Sequence, residues 1–272
     1  MTAATAPSVI AYSQAPFLYI NGMTISNNAT TPNTKVDVSA GMARDSTDVF
    51  YINLGNYNGF LNGNIAANSV TTIDATVNGA NGLDTGSLAA SLVYKVYAIF
   101  DPINANPTAC ILSLALPSVG PLMPTGYSAF RHIGYVMTGA GSTFLLSYNS
   151  GNNNARIFLY DAPHATSVTA GTSATYAAIN LSTMVPAVNN TPVLFQVNWT
   201  ANAAADTFNM QGVNQTGDAI LLISGVAGAT AHTVVNDLLV MSQLTAGVPT
   251  VNYKVSAVGG VAINVQGFHY YI

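Results

Sequence analysis

Glutamate is absent from this 272-residue chain, and its whole basic complement is Lys35, Arg44, Lys95, Arg131, Arg156 and Lys254. Charged residues make up 6%, where about a quarter is usual. Solvated surface helices are built largely from Glu, Lys and Arg, so this scarcity speaks against a helical protein with an ordinary charged exterior. No two basic residues fall within five positions of each other, and the net charge is −4. No phosphate-neutralising patch is left, so nucleic acid is not an expected partner. Cys110 is the single cysteine, which rules out an intrachain disulfide. Its setting, Ala109-Cys110-Ile111-Leu112, reads as a buried small apolar residue. Long apolar runs are missing too. The longest mild one, Ala219 to Ala231, holds two glycines and falls short of the roughly 20 residues a spanning helix needs, so no membrane is expected. Met1–Ile10 has neither the basic nor the apolar region of a secretory signal, and synthesis in the cytoplasm is the expectation.

What is present is apolar and β-forming. Hydrophobic residues are 50% of the chain and mean hydropathy is +0.36, which excludes intrinsic disorder. Short alternating or β-branched runs recur between Asn, Gly, Pro and Asp punctuation. Among them are Lys35–Val38, Val49–Leu54, Val70–Ala75, Leu92–Phe100, Ala109–Leu116, Arg131–Met137, Arg156–Tyr160, Val193–Thr200, Thr233–Met241 and Val261–Ile272. In Leu92–Phe100 both faces are largely apolar, which predicts a central strand packed on two sides and stopped at Asp101-Pro102. Val258-Gly259-Gly260-Val261 reads as a tight hairpin. No stretch carries a 3.6-residue apolar stripe. The pattern predicts an all-β protein of two antiparallel sandwich or jelly-roll-like domains. The Asn- and Gly-dense stretch 148–154 divides them into residues 1–150 and 151–272.

Few residues offer chemistry. Leu83-Asp84-Thr85-Gly86-Ser87 carries the D-T-G-S string of aspartic proteases, in which two aspartates share a proton. Here it occurs once, after a polar Asn-Gly stretch, and reads first as a turn. No G-x-S-x-G, G-x-G-x-x-G, phosphate loop or calcium loop occurs. The four histidines are scattered, without metal-ligand spacing, so no catalytic residue, metal or cofactor is assigned. Arg44, Asp45 and Asp48 form the one dense charge cluster and are expected to make a structural ion-pair network. His269, Tyr270 and Tyr271 end the chain as an aromatic group suited to stacking on a glycan or to a subunit interface.

Two segments carry a resemblance when taken together. One is Ala40-Gly41-Met42-Ala43-Arg44-Asp45-Ser46-Thr47-Asp48-Val49-Phe50, followed by Asn81-Gly82-Leu83-Asp84-Thr85-Gly86-Ser87 and the Tyr94–Phe100 strand. The other is Pro121-Leu122-Met123-Pro124-Thr125-Gly126-Tyr127, then Arg131-His132-Ile133-Gly134-Tyr135-Val136-Met137. In this order they resemble a group of tailed-bacteriophage virion proteins, described as structural, tail-fibre-like or head-decorating. The likeness covers residues 35–147 and departs from the usual pattern at His132. It implies a non-enzymatic structural protein on the virion surface, as a capsid decoration, head fibre or tail-fibre-type appendage. Its expected partners are copies of itself, in a homotrimer, and other virion proteins such as the major capsid protein or tail proteins. Two alternatives stay open: a receptor-binding, lectin-like module recognising host surface glycans, and an aspartic protease using Asp84.

Overall fold

A computed structural model describes residues 18–55, 69–103, 106–151, 154–165, 168, 170–201, 206–215, 220–223, 232–256 and 260–272. Among these residues the chain is all β, with no helix. The strands, in order, are β1 (Ile20–Gly22), β2 (Ile25–Asn27), β3 (Lys35–Val38), β4 (Gly41–Arg44), β5 (Tyr51–Leu54), β6 (Thr71–Asp74), β7 (Gly82–Leu83), β8 (Val93–Phe100), β9 (Ala109–Ser113) and β10 (Ala129–Met137). There follow β11 (Ser147–Ser150), β12 (Ala155–Ala165), β13 (Ala177–Asn180), β14 (Thr191–Ala201), β15 (Thr207–Gly212), β16 (Ile220–Ile223), β17 (His232–Thr245), β18 (Val248–Val255) and β19 (Val261–Tyr271).

Two sheets are small: β1-β4-β5 and β10-β8-β9-β7. The third is twelve-stranded, ordered β16-β15-β18-β17-β14-β19-β12-β11-β2-β3-β6, with β13 paired to β18 off that path. Neighbours are antiparallel except β7 and β9, which pair in parallel. Strand β8 lies between β10 and β9, and its side chains feed two cores. Tyr94, Val96 and Ala98 join one with Ile20, Val36, Ile52 and Leu112. Tyr97 and Ile99 join another with Ala109 and Ile111. The period-2 alternation of an apolar strand is what allows one strand to serve both. Asp101 ends β8 by accepting hydrogen bonds from the Ile103 and Asn106 backbones.

The C-terminal half is a sandwich. Phe158, Phe195, Val197, Trp199, Val265 and Phe268 from one layer meet Ile179, Phe208, Met210, Val251 and Tyr253 from the other. Strand β17 serves both layers: Thr191–Ala201 pairs with its residues 232–242, and its last three residues pair with β18. The turn between β17 and β18 is the two-residue loop Ala246-Gly247, with φ of +51° and +82°. Positive φ at both central residues matches the right-handed twist of the flanking strands. The hairpin expected at residues 258–261 falls partly outside the described residues. Val258 and Gly259 lie outside the described residues, and the flanking strands β18 and β19 are separated in the sheet by β17 and β14.

The first residues of the stretch 148–154 are part of the sheet. Tyr148, Asn149 and Ser150 belong to β11, which pairs with β12 on one side and β2 on the other. The cores divide near that point, but the large sheet runs through it. Ile272 touches the main cores of both halves.

Candidate functional site

The seam between the halves is organised around Arg156. Strand alternation turns its side chain inward, leaving it 2% exposed. Its Nη1 donates to the carbonyls of Met23 (2.6 Å) and Ile133 (3.2 Å), and its Nη2 to that of Gly22 (2.6 Å). Tyr270 accepts a further hydrogen bond from the guanidinium and donates to Asn149 Oδ1 at 2.6 Å. Asn149 Nδ2 donates to the Tyr135 carbonyl. Burial lowers the Arg156 pKa, while Tyr270 favours the charged form. Burial pushes the Tyr270 hydroxyl up, and the guanidinium pulls it back in part. Gly134 completes the packing. It sits at the β10 bulge with φ +156°, and a Cβ there would lie 2.7 Å from both the Tyr270 hydroxyl and Ile25 Cδ1.

Above this node lie two adjoining hollows of about 270 and 130 Å³ that share Tyr135, Val188 and Tyr271 as walls. The larger is completed by Ser46, Phe130, Arg131 and His132, the smaller by Asn189, Asn190, Thr191 and His269. His132 is held through Nε2 to the Gly134 carbonyl at 3.0 Å. A carbonyl only accepts, so Nε2 carries the proton and Nδ1 is the acceptor. Burial drives the His132 pKa down to about 3, the Gly134 bond opposing it and the nearby cations adding to it, so the imidazole is neutral. Tyr135 stands edge-on to His132, with centroids 4.7 Å apart, and burial raises its hydroxyl to about 12. Arg131 is buried and donates to the Leu18 carbonyl. Burial lowers its pKa, and the carboxylates of Asp48 and Asp45 support its charge.

The terminal aromatic triplet splits by strand period. Tyr270 faces the buried node, while Tyr271 is 76% exposed and His269 is half-buried on the outer face. The charge cluster splits as well. Arg44 Nε is 3.7 Å from Asp48 Oδ1, its Nη2 donates to the Asp48 carbonyl, and it lies over the Tyr51 ring. Asp45 is not part of that pair. Its carboxylate accepts from the Thr47, Val49 and Phe50 backbones and the Thr47 hydroxyl, closing the turn into β5. Burial alone would raise the Asp45 pKa, but these hydrogen bonds outweigh it and hold it below the usual range.

Asp84 is tied to the loop after β9, its Oδ2 accepting the Leu122 N–H. Among the described residues, no group of three His, Cys or Asp gathers at metal-binding distance. Sequence reasoning passed over Arg156, Asn149 and Gly134. Arg156 opens the predicted strand Arg156–Tyr160, and only the long-range pairing of β12 shows where it points.

No protein-family model matches the chain, and none of the curated proteins does. Among solved structures, an exo-β-1,3-galactanase from Phanerochaete chrysosporium with galactose aligns over 91% of this chain. The identity is 11% and the TM-score 0.17, and the alignment spans 56% of the galactanase chain.

Proposed function

We propose that this protein is a non-enzymatic structural component on the exterior of a tailed-phage particle. In this reading it assembles as a homotrimer of two jelly-roll-like units per chain. It serves as a capsid decoration, head fibre or tail-fibre-type appendage, in contact with capsid or tail proteins. The observation that carries the reading is the loop following β9. Leu114, Leu116, Val119 and Leu122 on it are 47–74% exposed, on a chain with 6% charged residues. The loop is held firmly: Lys95 Nζ donates to the Leu114 carbonyl, Tyr97 Oη to that of Ala115, and Leu122 N–H to Asp84. Gly120 packs so closely on the Phe130 ring that a Cβ would lie 2.3 Å from it. A rigid, apolar, uncharged surface is what a permanent subunit contact uses. The particle location rests on the resemblance of residues 35–147.

Cryo-electron microscopy of particles carrying a labelled copy tests the location. Density over the capsid lattice supports decoration, and density confined to the tail supports an appendage. Absence of the chain from purified particles would overturn the reading. Sedimentation tests the assembly: a trimer that falls apart in Leu116→Asp/Val119→Asp is expected, and a wild-type monomer would remove the trimer.

A further inference from the structure

The paired hollows at the seam bring an exposed aromatic ring together with neutral polar side chains. Their shared rim is an exposed tyrosine ring, Tyr271, backed by the buried Tyr135. Their walls hold no Asp or Lys, and their one Arg is Arg131, whose guanidinium is buried and electrostatically supported by Asp45 and Asp48. Two of these side chains keep a hydrogen-bonding atom without a protein partner among the described residues. Asn189 Oδ1 accepts the Leu244 N–H, which orients the amide and leaves its Nδ2 donors unengaged. His132 uses Nε2 internally and keeps Nδ1. The Asn190 backbone is held at φ +58°, which fixes where its amide projects from the loop. Together the hollows reach the lower part of the range of small-molecule sites, about 300–1,000 Å³.

We infer that this seam cleft binds a neutral saccharide, one sugar ring lying on the face of Tyr271 and its hydroxyls meeting Asn189, Asn190 and His132. A pyranose presents an apolar face and a rim of hydroxyls, each both donor and acceptor. An exposed aromatic ring beside neutral amides and an imidazole complements both features. A phosphorylated or strongly anionic ligand finds no accessible Lys or Arg in the walls, and a purely apolar one would strand the polar groups. The inference stands apart from the virion reading, since it uses only the geometry of the cleft.

Saturation-transfer NMR on the full chain tests it with maltohexaose, cellohexaose and chitohexaose at about 5 mM, a concentration that detects millimolar affinity. Transfer to at least one is expected. Tyr271→Ala should weaken it about tenfold or more, and Asn190→Gly, which suits the positive φ, about threefold. Tyr148→Ala, which removes an exposed tyrosine lining a different hollow, should leave it unchanged. Absence of transfer to all three sugars overturns the proposal. So does transfer that survives both Tyr271→Ala and Asn190→Gly, or binding of a proline-rich peptide in place of the sugars. Circular dichroism of the two cleft variants separates lost binding from lost folding.

Discussion

The two halves of this molecule solve the same problem by different means. Strands β1 to β6 are three or four residues each, too short for their ladders alone to hold register. Side chains stitch them to backbone instead. Asp45 closes the turn into β5, Asn28 caps the Thr30–Thr31 turn, Asn81 takes the Cys110 N–H, and Asp37 ties Asn28 to Thr72. In the C-terminal half β12, β14, β17 and β19 run 11 to 14 residues, and the sandwich is filled by Phe158, Phe195, Trp199, Phe208 and Phe268. Their order comes from long ladders, with one register shift each in β12–β19 and β14–β19, and from aromatic packing. In a chain with so few charges, Asp37 and Asp45 organise the turns where strands are short, whereas ladders and aromatic packing take that task where strands are long.

The seam is where the contrast can be broken most severely. Arg156→Met should cost about 3–5 kcal/mol, because the carbonyls of Gly22, Met23 and Ile133 lose their donor inside the protein. Denaturant titration followed by Trp199 fluorescence, which reports the C-terminal core, and by amide exchange in β4 and β5 should show both halves weakened. A shift in one half alone would mean that Arg156 is not the joint. Next in size is Asp45→Ala, expected to cost about 2–3 kcal/mol from four unsatisfied donors. It should accelerate exchange in β4 and β5 while leaving the Trp199 transition in place. An equal shift of the Trp199 transition would erase the distinction between the halves.

Arg44→Ala removes a half-buried pair and a cation–ring contact. About 1 kcal/mol is expected, a drop of about 2–4 °C in thermal midpoint, and an unchanged midpoint would remove the pair from the account. Smaller still is Lys35→Ala. Lys35 Nζ lies 2.8 Å from Asp74 Oδ2 at a partly exposed site, so about 0.5 kcal/mol is at stake. The Lys35 hydrogen bond, with Thr76 adding to it, holds the Asp74 pKa at about 2 against an ordinary 3.8. A depressed carboxyl contributes stability that is present above its unfolded value and lost as pH falls through its folded one. The wild type should therefore lose this increment between pH 4 and 2, and Lys35→Ala should show a shallower loss over the same window. Asp45, depressed as well, adds acid sensitivity of the same sign in the first half only. The smallest effect belongs to Tyr271→Ala, whose ring is largely in solvent: a stability change within about 0.5 kcal/mol.

Much of the local structure was legible in the residues themselves. The all-β class followed from the absence of Glu, the scarcity of Lys and Arg, and the short β-branched runs. The two-faced strand β8 followed from apolar residues at every second position on both sides, and its end from Asp101-Pro102. The Ala246-Gly247 turn was harder to see, since alanine rarely adopts positive φ and gives no turn signal of its own. Asp45 offered a charge beside Arg44, yet charge says nothing of whether a carboxylate meets a guanidinium or four donors of its own turn. Tyr270 and Tyr271, adjacent and chemically alike, ended on opposite faces because strand register, set by β12 and β14, decides which of two neighbours turns inward. By itself the sequence determined the strands, the uncharged surface and the absence of disulfide or basic-patch chemistry, all of which depend on residue type and nearest neighbours. Only the tertiary structure decided that β18 and β19 part company, that Arg156 lies at the joint, and that Tyr135, Asn189 and Tyr271 share one cleft. Those outcomes depend on contacts between residues far apart in the chain, which no local pattern encodes.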